Sequence, residues 1–462
     1  MASLTEPADP AAIVDHAEAR ARFGPRYQVM LLALVLLVTA FSYVDRTVVQ
    51  ILAQPIKEDL ALSDLQLGLI GGLSFAIFYS CMGLPIARLA ERKSRIIIIA
   101  VSVGIFSVMS ALCAVAHSFT ELFIYRIGVG IGEAGVMAPA TALLGDHFFP
   151  HRRGFALSVM RLGFPLGAAF GAFFGAWIGA HYGWRPAMLA VSVPGIIVAI
   201  LFPLLLREPP RGMCDPPEQQ KAAAVVPPMR EAFGALLGRS EFRHMLIGLG
   251  IATMGLYSAG AFSVPFFMRV HGLSLAEAGS YLGIISSLSS LVGMSIGGLG
   301  IDFIARRSIR WYALVPAIGV LLTAPIYFYA YMAAPPLVAM VCMLVGGIFL
   351  FFHSVPTLVA MQNLVASNVR ATAAFLYFFV QTLVGVGFGP PVTGYLSDLY
   401  ASHHLGMSFS QACHGAPLSA ACESASAFGI RMALGTSCAF FAWGALHYFI
   451  AARQLGRRER AA

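Results

Sequence analysis

The chain is a succession of long apolar runs, about twelve of them close to the 20 residues that cross a bilayer as helix. Backbone groups in lipid must bond within the protein, so only helices or a closed barrel can span, and these runs are too long for barrel strands. The expected fold is an all-α membrane protein. Its spans fall near 27–54, 65–88, 96–116, 120–143, 155–178, 186–206, 244–268, 278–301, 311–332, 337–360, 371–396 and 427–451. Only 11% of the 462 residues are charged, where a soluble chain carries about 25%.

The net charge of +8 does not indicate nucleic acid, because the basic residues gather in short loops between apolar runs. One set of loops holds Arg88, Arg92, Lys93, Arg95, Arg152, Arg153, Arg306, Arg307, Arg310 and Arg370; Lys57, Arg185 and Arg269 are all that flank the other set. By the positive-inside rule both termini are cytoplasmic. Residues 1–24 lack a short apolar core with a cleavage site, so the first span is expected to act as the insertion signal. The expected divisions are an N-terminal tail (1–26), a six-helix bundle (27–206), a Pro-rich linker (207–243), a second bundle (244–452) and a basic tail (453–462).

The bundles repeat. Ser63 and Gly68 recur as Ser274 and Gly279, and Glu91 and Arg95 as Asp302 and Arg306, all displaced by 211 residues. Duplicated bundles imply a binding site between them near the bilayer midplane. The seven cysteines show no metal-type spacing, and no metal or cofactor is expected. Cys413 and Cys422 share one polar loop on the outward side, where a disulfide and two free thiols remain equal readings.

Six charges interrupt the apolar runs: Asp45, Arg46, Arg126, Glu133, Arg161 and Arg431. Each costs about 2.5–3.5 kcal/mol at mid-helix, so each needs a partner or a role. Asp45 lies about 15 Å below the outer end of span one; on span four Arg126 and Glu133 lie about 10 and 20 Å below theirs. Seven residues apart, Arg126 and Glu133 share one helix face, so all three fit one cavity. Asp45 or Glu133 is expected to bind a coupling proton, with Arg126 as the partner whose pairing changes; a permanent ion pair is the plainer reading. Arg46 points either at substrate or outward. Arg161 either faces the cavity, where its fork suits phosphate or carboxylate, or extends to the inner surface. Arg431 is expected near the interface. His353 is a lesser titratable candidate. Through the 211 offset Asp45 and Arg46 fall on Leu256 and Tyr257, so a charged half faces an apolar, aromatic one.

These residues resemble the major facilitator superfamily over nearly the whole chain. Its characteristic loop between spans two and three reads here Ala87-Arg88-Leu89-Ala90-Glu91-Arg92-Lys93-Ser94-Arg95, with Ala and Ser replacing two glycines and Glu91 replacing Asp. The repeat copy ends in Asp302. Within the superfamily, Tyr43-Val44-Asp45-Arg46, the run Arg126 to Ala134 and Phe164-Pro165-Leu166-Gly167 are similar to the Spinster branch. The resemblance implies a proton-coupled secondary transporter working by alternating access. It implies export of an amphipathic lipid such as a lysophospholipid or a sphingosine-1-phosphate-like molecule. By their places in the spans, Arg46, Arg126, Glu133 and Arg161 are the expected substrate contacts; Arg161 lies outside the family pattern and would mark substrate choice. The resemblance further implies a monomer, in a bacterial inner membrane, surrounded by membrane lipids. Glu91, Arg92, Arg95, Asp302 and Arg306 are expected to form cytoplasmic charge clusters that gate the halves. An organic-anion or multidrug porter is the alternative within transport, and a non-transporting receptor the alternative outside it. Gly293-Met294-Ser295-Ile296-Gly297 matches a hydrolase pattern but lies inside an apolar run, so no enzyme is expected.

Overall fold

A computed structural model describes residues 23–90, 92–211, 213–214, 229–332, 335–365, 370–413 and 418–461. Among them, twelve helices are long and apolar enough to span a membrane. Spans one to six are Pro25–Ile51, Asp64–Ala90, Arg95–Cys113, Phe119–His147, Phe155–Tyr182 and Trp184–Leu205. Spans seven to twelve are Ser240–His271, Leu275–Gly298, Trp311–Met332, Pro336–Gln362, Thr372–Leu405 and Ala420–Arg460. An even number of crossings places Phe23 and Ala461 at one end, here the termini end; the other is the far end. This is a multi-pass membrane protein of two six-helix halves.

The 211-residue repeat is visible in detail. Ser63 and Ser274 each open their helix with a capping box, paired with Gln66 and Glu277. The reciprocal bonds fix both helix starts. The glycines one turn later face the opposite half in both copies. Gly68 of span two lies against the Pro390 carbonyl and Pro391 of span eleven, and Gly279 of span eight against Ala176 of span five and Ile51 of span one. The halves therefore meet along two related seams.

Glycine sets how closely span five approaches span one. Gly163, Gly167, Gly171 and Gly175 recur every fourth residue and face Thr39, Ala40, Val44 and Val48 in turn. A Cβ at Gly167 would run into the Ala40 carbonyl. Small residues on one stripe let two backbones close together where lipid offers no hydrophobic drive.

Several spans break where the sequence suggested continuity. Span two kinks at Gly72, between Asp64–Gly71 and Leu73–Ala90, and span four at Gly135–Val136. Span ten breaks at Phe352–His353, and span eleven carries a wide π turn over Gln381–Val386. Span twelve departs the other way: it runs unbroken over Ala420–Ala461, so the basic tail is helix and Arg431 lies eleven residues inside. Its Nε is buried without a partner.

Candidate functional site

Spans one and four bring their four charges together as two separate pairs. Asp45 and Arg126, 3% and 2% exposed, form an ion pair of 2.7 Å. The Ser110 hydroxyl of span three donates to the other Asp45 oxygen, so both are occupied. Arg46 pairs with Glu133 at 2.5 Å through Nη2 and 2.7 Å through Nε. All the bonds to Glu133 fall on Oε2, which also accepts from Ser42 at 2.7 Å. Oε1 is buried with no partner. Four unpaired charges at mid-helix would cost about 10–14 kcal/mol on insertion scales, which two pairs largely offset.

Arg46 therefore turns inward onto Glu133, neither outward nor free. Its guanidinium packs 4.5 Å from the Phe75 ring centre, 5.1 Å from Tyr79 and 5.2 Å from Tyr43. This aromatic wall strengthens a cation's hold in a partly desolvated place. Arg161 is exposed and has no ion-pair partner among the described residues. His353 is fully buried, its Nδ1 bonded to the Leu350 carbonyl at 2.5 Å.

The far end is closed by a cluster that sequence reasoning missed. Asp64 accepts two bonds of 2.8 Å from Arg269 of span seven and 2.6 Å bonds from Lys57 and Ser397. Arg269 also donates to Gln54 at 2.7 Å. Asp398 of span eleven caps the start of span two, accepting from the Asp64 and Leu65 N–H groups at 3.0 and 2.8 Å. Two acids and two bases thus join the halves. Among the described residues the only other hydrogen bond between halves is Ser287 to the Pro165 carbonyl, 3.4 Å long.

The termini end differs. Arg95 pairs with Asp146 of its own half and with Glu208 of the linker at 2.7 Å, not with the second half. Ser94 and the Ile96 N–H complete the hold on Glu208 at 2.8 and 3.1 Å. Burial raises the Glu208 carboxyl, but these donors outweigh it and its pKa lies below the usual value. Arg92 and Arg306 are exposed, and Glu91 lies outside the described residues, as does the side chain of Asp302. Cys413 and Cys422 are bridged. No cluster of three metal-type ligands occurs among the described residues.

Residues 35–390 match the Major Facilitator Superfamily. The chain is 31% identical over 384 residues to an MFS-type efflux pump of Mycolicibacterium smegmatis, covering 83% of this chain and 87% of that one. It is 26% identical over 378 residues to the sphingosine-1-phosphate transporter SPNS2 of Xenopus tropicalis, covering 78% and 71%. Among solved structures, a bacterial homologue of the human lysosomal transporter Spinster, inward-facing and unoccupied, superposes with a TM-score of 0.85. It shares 29% identity, over 94% of this chain and 98% of that one.

Proposed function

The chain belongs to the major facilitator superfamily and resembles its Spinster branch, and within it we propose a proton-coupled secondary transporter that exports an amphipathic anion of lysophospholipid or sphingosine-1-phosphate type. The observation that carries the proton role is the unpartnered Oε1 of Glu133. A proton placed there breaks no existing bond, whereas both Asp45 oxygens already accept, from Ser110 and from Arg126. Glu133 is thus the favoured carrier, and Asp45–Arg126 the fixed pair that ties spans one and four.

The sign of coupling follows. A substrate anion that draws Arg46 away strips Glu133 of its counter-charge, and the stranded carboxylate takes up a proton. Protonation first frees Arg46 for the anion. Headgroup and proton therefore reinforce each other's binding, as linkage requires. They travel together, and outward movement follows the substrate gradient. With the termini cytoplasmic, the closed end faces the periplasm, which suits the Cys413–Cys422 bridge. The functional unit is a monomer in the inner membrane. Arg95 and its loop supply the gate at the cytoplasmic end.

The test is movement of a fluorescent lysophospholipid in proteoliposomes with an imposed pH gradient. Acidifying the donor side is expected to speed transfer, and Glu133→Gln to remove that pH dependence while exchange persists. Full pH dependence in Glu133→Gln sinks the assignment. The efflux-pump relative favours a second reading, a porter of small organic anions or drugs. Transport of water-soluble anions with no lipid movement selects it.

A further inference from the structure

The two halves treat one arginine differently at the termini end. In the first, Arg95 is pinned by Asp146 at the end of span four and by Glu208. Its repeat copy is Arg306, and the end of span ten, Ser354–Asn363, carries no acid. Arg306 and Arg310 in the loop before span nine, and Arg457 and Arg460 in the tail of span twelve, are exposed. None has an ion-pair partner among the described residues. Loop and tail are in contact: a Cβ on Gly456 would lie 3.7 Å from the Arg310 side chain. The acids beside them are engaged elsewhere. Glu241 is bonded at 3.0 Å to Arg458, and Glu459 accepts from the Ser308 hydroxyl and from the Ile309 N–H at 3.2 Å.

Beside these cations the surface is hollow. Ile309, Tyr312, Ala360, Leu364 and Arg458 line a cavity of about 260 Å³. All five belong to the second half, and none to the paired charges of the central site. Tyr312 is the second residue of span nine and Leu364 lies two past the end of span ten, so the cavity sits at the hydrocarbon boundary. Its wall is aliphatic and its rim basic. Arg458 lines it, and Arg239 reaches the Leu364 carbonyl from the start of span seven. Nearby, Arg307 lies 5.8 Å from the ring centre of Phe303, which is 66% exposed at the end of span eight. An outward aromatic ring beneath a guanidinium suits the edge of a bilayer. The positive-inside rule accounts for arginines in these loops, but not for their convergence on a cavity from two elements. We infer that this corner binds an anionic phospholipid of the surrounding bilayer, its phosphate among Arg310, Arg457 and Arg458 and its glycerol and upper acyl chain in the cavity. The lipid is a brace and not cargo, tying the loop before span nine to the tail of span twelve. A free phosphate would meet the charge but leave Ile309, Ala360 and Leu364 in water. Each arginine near an anionic headgroup is worth about fivefold in affinity.

The experiment is lipid binding to the purified full chain in detergent, read by native mass spectrometry and by melting temperature. The probes are phosphatidylglycerol and phosphatidylcholine of identical acyl chains, with glycerol phosphate as a third. Wild type is expected to retain phosphatidylglycerol over phosphatidylcholine and to melt higher with it. Arg310→Gln combined with Arg457→Gln is expected to weaken phosphatidylglycerol about 25-fold, about fivefold for each charge, and to leave phosphatidylcholine unchanged. Neither side chain has an ion-pair partner among the described residues, so the delipidated variant should melt with the delipidated wild type. Arg88→Gln combined with Arg152→Gln removes two exposed charges from the same end of the first half and is expected to change nothing. Equal retention of the two lipids, equal loss in the two double variants, or no loss in either overturns the site. Glycerol phosphate that displaces the lipid at equal concentration overturns it too, and leaves a soluble anion as the ligand. Transport is not read in this experiment, so its outcome is independent of the cargo and the proton coupling proposed above.

Discussion

Replacing Arg269 with Gln should open the far end. The substitution removes two 2.8 Å bonds to Asp64 and the 2.7 Å bond to Gln54, all of them between halves. Breaking a buried pair costs about 3–5 kcal/mol when the remaining charge is stranded. Asp64 is not stranded here, because Lys57 and Ser397 stay at 2.6 Å, so the low end applies. A loss of about 3 kcal/mol that falls on one conformation only is a shift of about 150-fold in the balance. Spin labels at the exposed Glu58 and His403, one in each half, report it as a longer inter-label distance by double electron–electron resonance in nanodiscs. Lys57→Met is the control, since its bond to Asp64 lies within one half. An unchanged distance distribution with a lowered melting temperature would refute the reasoning, showing that the cluster supports the fold and not the gate.

Two further outcomes test other contacts. Gly68→Ala should favour a lone helix by up to about 1 kcal/mol, yet its Cβ meets the Pro390 backbone of the other half. The same labels should therefore show a more open far end, with no change for Gly83→Ala, which has open space. Glu208 has a native pKa below its unfolded value of about 4.3, so its contribution is present above that pH and is lost as pH falls through the native value. The gain is modest, because the side chain is 30% exposed. Protection from hydrogen exchange at Arg207, Glu208 and Arg211, taken relative to the intrinsic rate at each pH, should fall below about pH 4 in wild type, while in Glu208→Gln it should be low at neutral pH already. Equal protection of the wild type across that range counts against a stabilising hold on Glu208.

The twelve spans and the repeat were legible because lipid leaves the chain few choices: apolar length marks a crossing, and a fixed offset marks a duplication. That the charges of spans one and four lie at matching depths followed from helix rise and from the seven-residue spacing of Arg126 and Glu133. Who pairs with whom did not. Asp45 and Arg46 differ by about 1.5 Å in height, less than the reach of an arginine, so depth cannot decide which of them meets the charges of span four. Asp64 and Arg269 lie 205 residues apart at loop edges, where charges are ordinary, and no spacing flags them. The breaks at Gly72 and Gly135 escaped notice because glycine is also common on tight helix seams, as at Gly68 and Gly167.

Span twelve has a practical consequence. Its 42 residues make a rod of about 63 Å, twice the thickness of a hydrocarbon core. At one end it is stitched to neighbouring helices through Arg458 with Glu241 and Glu459 with Ser308. At the other it begins beside the Cys413–Cys422 staple. A soluble domain fused in helical register after Ala461 would inherit the rod's orientation. It would serve as a goniometer for the second half, its tilt readable by electron cryomicroscopy in each functional state.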